Sequence, residues 1–123
     1  MKIRLPIQTK EIKNGAMVKT QSEQEFDLDM SIAAQIRFET KFPTLAERED
    51  LLGYSQRIFE IKELSLGLII SKLKMIYCWF DTEMVFNDFL KLFDLSDETY
   101  MKKLIKALND TFEIVADGSA EKN

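Results

Sequence analysis

The chain is 123 residues long, 46% apolar and 31% charged, the size and composition of one globular domain with a single core. Its net charge of −4, from 21 acids against 17 bases, disfavours nucleic acid, because a phosphate backbone repels such a molecule. There is no histidine, which removes the commonest general base, the commonest nitrogen metal ligand and every Ser-His or Cys-His nucleophile.

In "MKIRLPIQTK", Ile3, Leu5 and Ile7 alternate with Lys2, Arg4 and Pro6, which reads as a strand that its proline confines to a sheet edge. This stretch has no long apolar run and is not read as a secretory signal. Asn14-Gly15 between short apolar-polar runs predicts a two-residue type I′ hairpin turn, where both positions need positive φ. Gln21 to Glu25 reads as a polar loop, and Phe26, Leu28 and Met30 as a short strand with its apolar face on the core. Asp27 and Asp29 then share the opposite face. Two carboxylates so placed suit a divalent ion only if further oxygens converge, and none lie nearby, so the pair reads as a solvated face leading into a helix. The bases Lys2, Arg4, Lys10, Lys13 and Lys19 outnumber Glu11, Glu23 and Glu25 in the first 25 residues. Either a weak electrostatic contact or a lysine-protected edge accounts for them.

From Ser31 the period changes. Ile32 with Ile36, and Ala34 with Phe38 and Phe42, form two adjacent stripes and a broad apolar helix face ending before Pro43. Thr44 opens "TLAE", the pattern of a capping box with Glu47, for a second helix with Leu45, Leu52 and Phe59 beside Leu51 and Ile58. The most apolar stretch, Leu64 to Phe80, has Lys72 and Lys74 at its middle and is short for a membrane span, so a core helix is expected. Its main stripe is Leu66, Ile69, Ile70, Leu73, Ile76, Tyr77 and Phe80, while Leu68, Met75 and Trp79 fall on another face with Lys72. A helix apolar nearly all round must be covered on more than one side.

Asp81 or Thr82 is expected to cap a fourth helix with Val85, Phe86, Phe89, Leu90 and Phe93 inward. Ser96, followed by Asp97 and Glu98, opens a fifth, whose stripe is Met101, Leu104, Ile105, Leu108, Phe112 and Val115. The expected fold is therefore mainly α: about five helices in a bundle-like domain over 31–116, preceded by a small N-terminal β-hairpin or arm over 1–30. Residues 117–123 read as a flexible tail of the same single domain.

Little in the chain carries chemistry. The acids around Glu47, Asp81 and Asp97 cluster at helix starts, where capping and the helix dipole account for them. Cys78 in "KMIYCWF" reads as a buried small hydrophobe, and the four scattered glycines form no phosphate-binding loop. No enzyme activity, metal or cofactor is expected. Met75, Met84 and Met101 sit on apolar helical faces near aromatic residues, a mixture that serves either core packing or an adaptable protein-binding surface. For Leu68, Met75 and Trp79, core and a client or subunit surface both remain open.

The segments "FDLDMSIAAQIRFETKFP" and "FNDFLKLFDLSDETYMKKLIKAL" resemble the tail assembly chaperones of long-tailed, non-contractile bacteriophages (siphophages) of Gram-positive bacteria, over about Phe26 to Val115. The resemblance implies a protein of the host cytoplasm, absent from the mature virion, that shields the apolar helical tape-measure protein until the tail tube polymerises. It also implies self-association in rings or spirals, and a longer frameshifted form that would reach the tail tube protein. Glu121-Lys122-Asn123 is encodable as GAA AAA AAC, which contains an A-rich slippery heptamer. The expected client or oligomer surface is Leu68, Met75, Trp79, Met84 and Met101, with no nucleic acid or membrane as partner. The rival readings are a small helical phage regulator and a minor structural tail or connector protein.

Overall fold

A computed structural model describes residues 1–61 and 65–121, with side chains described as far as Val115; Leu64, the expected start of the apolar stretch, and Lys122-Asn123 lie outside. The chain opens as an antiparallel hairpin of β1 (Lys2–Lys13) and β2 (Ala16–Asp27) in continuous register from Lys2 opposite Asp27 to Lys13 opposite Ala16. Asn14 at φ 54° and Gly15 at φ 79° make the expected primed turn. The strands are longer than the sequence pattern indicates. Gln21 to Glu25 are not a loop but the middle of β2, paired throughout with β1: Gln21 donates to Gln8 opposite it at 2.7 Å and Glu23 meets Arg4 diagonally at 3.6 Å.

Six helices follow among the described residues: α1 (Ile32–Lys41), α2 (Pro43–Ala46), α3 (Leu51–Glu60), α4 (Leu66–Trp79), α5 (Phe86–Leu90) and α6 (Glu98–Glu121). The expected order of an N-terminal hairpin followed by helices is present, but with twelve-residue strands the fold is mixed α/β rather than mainly α. The expected second helix is two. Pro43 sits at N1 of α2 after Phe42, so Thr44 lies inside a four-residue turn and the capping box with Glu47 does not form. Asp50 instead starts α3, its carboxylate accepting from the Gly53 amide at 2.6 Å.

Neither Asp81 nor Thr82 is the cap of α5, which begins after Val85; Thr82 accepts from the Met84 amide within the preceding loop. α6 starts at Glu98 rather than Ser96, with the Asp97 carboxylate accepting from Thr99 at 3.0 Å. At its other end α6 is helical to Glu121, through most of the segment expected to be a tail.

α4 is the central element, and the core forms around it. Aromatic rings run through the core as a chain of neighbours: Tyr54, Phe38, Phe42, Phe86, Phe89 and Phe93, with centroids 5.2 to 6.3 Å apart. Phe26 joins this chain from β2 at 6.0 Å from Phe89. Ile3, Leu5, Phe26 and Leu28 are buried as the alternation predicts, but Met30 is exposed because regular pairing stops at Asp27.

β1 is fastened to the body by its outer edge. Gln8, fully buried, accepts from the Asp94 amide through its backbone carbonyl and donates its own amide to Leu92. Its side-chain amide reaches the Asp94 carbonyl and carboxylate at 3.1 and 3.2 Å. Pro6 has no amide to offer, and its carbonyl accepts from the Tyr100 hydroxyl at 2.8 Å.

Burial of Asp94 works against its charge, but donors from Ser96, Lys10 and Gln8 outweigh it and leave its carboxyl below the ordinary value of 3.8. A depressed folded pKa stabilises the fold above the unfolded value and loses that contribution as pH falls through the folded one. Asp94→Asn is expected to cost about 2 kcal/mol at neutral pH. It should also flatten the fall in stability below about pH 4, read from urea midpoints across the acid range.

Candidate functional site

An apolar groove of about 690 Å³ is walled by α1, α3 and α6 and floored by the end of α4. Its walls are set by polar pins rather than by the apolar residues themselves. Arg37 of α1 donates to the Cys78 carbonyl at 2.8 Å and the Trp79 carbonyl at 3.4 Å, the acceptors left over at the end of α4, and pairs with Asp29 at 3.3 Å. Asp29 also accepts from the Ser31 amide at 3.2 Å, and these two donors, with Ser31 first and against desolvation, hold its carboxyl below the usual range. Asp29 is therefore part of the brace that places α1, not only a solvated face. Asp27 is exposed and lies 3.5 Å from the Met1 ammonium. Among the described residues no group of three acids, cysteines or histidines gathers into a metal site.

On the other wall, the Gln35 side-chain carbonyl accepts from the Leu51 amide at 2.7 Å, fixing the start of α3 against α1. Glu49 and Arg57 close a two-bond ion pair along α3, and Arg57 lies over the Tyr54 ring at 5.4 Å. The first of these links ties α1 to α3, and the second stiffens α3 and the turn before it. Trp79 packs on Phe112 at 5.9 Å beneath the gap, with Met1 and Met30 at one end and Phe59 and Val115 along the sides. The lining has no charged side chain, and the Ser55 hydroxyl in it already donates to the Leu52 carbonyl at 2.9 Å. Such a surface receives apolar side chains. Cys78, the sole cysteine, is buried and its thiol is pushed up to about 12 by desolvation.

The residues singled out from sequence are dispersed. Leu68, Met75 and Trp79 are buried, so the second apolar face of α4 is covered by α6 and its neighbours rather than offered to a partner. Trp79 alone of the three reaches the groove, from its floor. Leu68 borders a small crevice with Lys72, which donates to Asn109 at 2.7 Å and lies 5.5 Å from the Phe112 ring. Met84 is partly exposed on the loop before α5, and its carbonyl accepts from the Tyr77 hydroxyl. Met101 is half-buried on α6. Neither lines the groove.

What does stand at the groove mouth was expected inside. Ile32 is 82% exposed and Leu52 67%, and Ile36 is exposed one turn beyond Ile32. Leu66 and Val85, also expected to face inward, are exposed elsewhere. The sequence carried one usable signal: Leu51 and Leu52 are adjacent on a helix, about 100° apart, so a narrow stripe holds only one of them. Among the described residues no helix is long and apolar enough to cross a membrane. No protein-family model, curated protein or solved structure matches the chain.

Proposed function

We propose that the chain is a non-enzymatic chaperone of phage tail assembly, which shields apolar helical stretches of a tape-measure protein in the host cytoplasm until the tail tube polymerises around them. The observation that supports this reading is the uncharged groove between α1 and α3, with Ile32 and Leu52 exposed at its mouth. An amphipathic helix lays residues at i, i+3, i+4 and i+7 into such a groove. One groove takes only a few side chains, so useful affinity comes from many copies along one long client. The chaperone leaves as the tube closes and is not retained in the virion; a longer frameshifted form would carry the contact to the tail tube protein.

Co-expression with the neighbouring tape-measure gene tests this. The client is expected in the soluble fraction with this chain and in the pellet without it. A client equally insoluble in both cases would end the proposal.

A further inference from the structure

The groove lining carries no charged side chain, but an acid stands at each end of it. Glu39 of α1 lies one turn beyond the lining residue Gln35 and accepts from its side-chain amide at 3.0 Å. Because Gln35 also accepts from the Leu51 amide, Glu39 is held at the end where α3 begins. Glu60 is the last residue of α3, one turn beyond Gln56 of the lining, and marks the other end on the opposite wall. Both acids are exposed, and neither makes an ion pair among the described residues.

The bases nearby are occupied. Of the four between Ser31 and Ile61, Arg37 is tied to Asp29 and the end of α4, and Arg57 is paired with Glu49. Lys41 donates to the Tyr77 hydroxyl and the Thr82 carbonyl, both at 3.3 Å, and Arg48 lies between Glu47 and Glu49 in sequence. A fatty acid or other anionic amphiphile would therefore meet like charge at either end of the recess, as would a helix with acidic flanks. A helix with basic flanks meets the complement.

The spacing of the acids sharpens this. From Leu51 to Glu60, α3 rises about 14 Å, so a helix lying along it meets the two acids with residues about nine positions apart. Nine positions are about two and a half turns, which places such residues on opposite flanks, as opposite walls require. We infer that the groove selects amphipathic helices carrying Lys or Arg on both flanks of the apolar stripe, about nine positions apart, to pair with Glu39 and Glu60. This names the chemistry of the client and rests on the groove being the client site proposed above.

Trp79, the single tryptophan of the chain, floors the groove, so its emission reports occupancy in the full-length protein. The probes are two tryptophan-free peptides of about 18 residues with the same leucine stripe, one with Lys along both flanks and one with Glu, residues of similar helix propensity. The Lys peptide is expected to bind at least tenfold more tightly at low ionic strength, with the gap narrowing as salt rises. E39K/E60K, changed only at exposed positions, is expected to keep its melting curve and reverse the preference. E11K/E98K, with the same change in net charge away from the groove, is expected to keep the wild-type preference. Equal binding of the two peptides, a preference that E39K/E60K leaves unaltered, or one that E11K/E98K reverses as well would overturn the charge selection while leaving the groove a helix site. No response of Trp79 to either peptide would remove the groove itself as the client site, and the selection with it.

Discussion

Phe89→Ala is expected to lower the free energy of unfolding by about 4 kcal/mol, a large share of the 5–15 kcal/mol typical of a domain. The ring is fully buried and has four aromatic neighbours, Phe26, Tyr77, Phe86 and Phe93, at 5.2 to 6.2 Å between centroids. Truncation removes the transfer free energy of the ring and leaves a cavity that the short α5 cannot close alone. The damage should also spread toward the hairpin, because α5 leads into the Leu92 to Asp94 segment that bonds Gln8 on both sides of its peptide. Denaturant midpoints give the global loss, and hydrogen exchange gives the local one: the Gln8 amide should lose protection more than amides in the middle of α4. A loss under about 1 kcal/mol would mean that the aromatic chain is not close-packed.

Where short-range chemistry alone sets the structure, it is legible in the sequence. Asn14-Gly15 makes its turn because few residues besides these tolerate positive φ, and Ser31 caps α1 by accepting from Ala33 at 3.2 Å. The middle of β2 is not legible, since none of its own side chains from Ala16 to Glu25 is buried and no alternation is left to read. Its register comes from Gln8 and Arg4 on the other strand, more than a dozen residues away in sequence. At Phe42-Pro43-Thr44 two local rules compete, and the proline at N1 places the helix start two residues earlier than the Thr44 cap would.

The groove is hidden for a similar reason. Two apolar stripes on α1 look alike in sequence, and only the Arg37 and Gln35 pins decide that Ala34 and Phe38 turn inward while Ile32 and Ile36 turn out. Long-range polar bonds of this kind have no periodic signature. Asp29 was legible as a carboxylate before a helix but not as the partner of Arg37, eight residues on.

Burial of the second apolar face of α4 decides what alanine there should do. Met75 has 0% exposure, so Met75→Ala is expected to cost about 3 kcal/mol of folding stability and to affect client binding only through that loss. Trp79→Ala should damage both, since the ring packs on Phe112 and also floors the groove. Leu52→Lys separates the two effects. Its side chain is already in water, and such surface changes usually stay within about 0.5 kcal/mol in the free protein. On docking, however, the lysine would carry a charge into a lining that offers it no partner. The expected result is an unchanged melting curve with tape-measure protein returned to the insoluble fraction, against a lowered melt for Met75→Ala whose residual folded protein still solubilises client. Full rescue of client by Leu52→Lys would remove the groove from the mechanism. Loss of client by a stably folded Met75→Ala would instead place the binding surface on α4, through an opening of the core that exposes it.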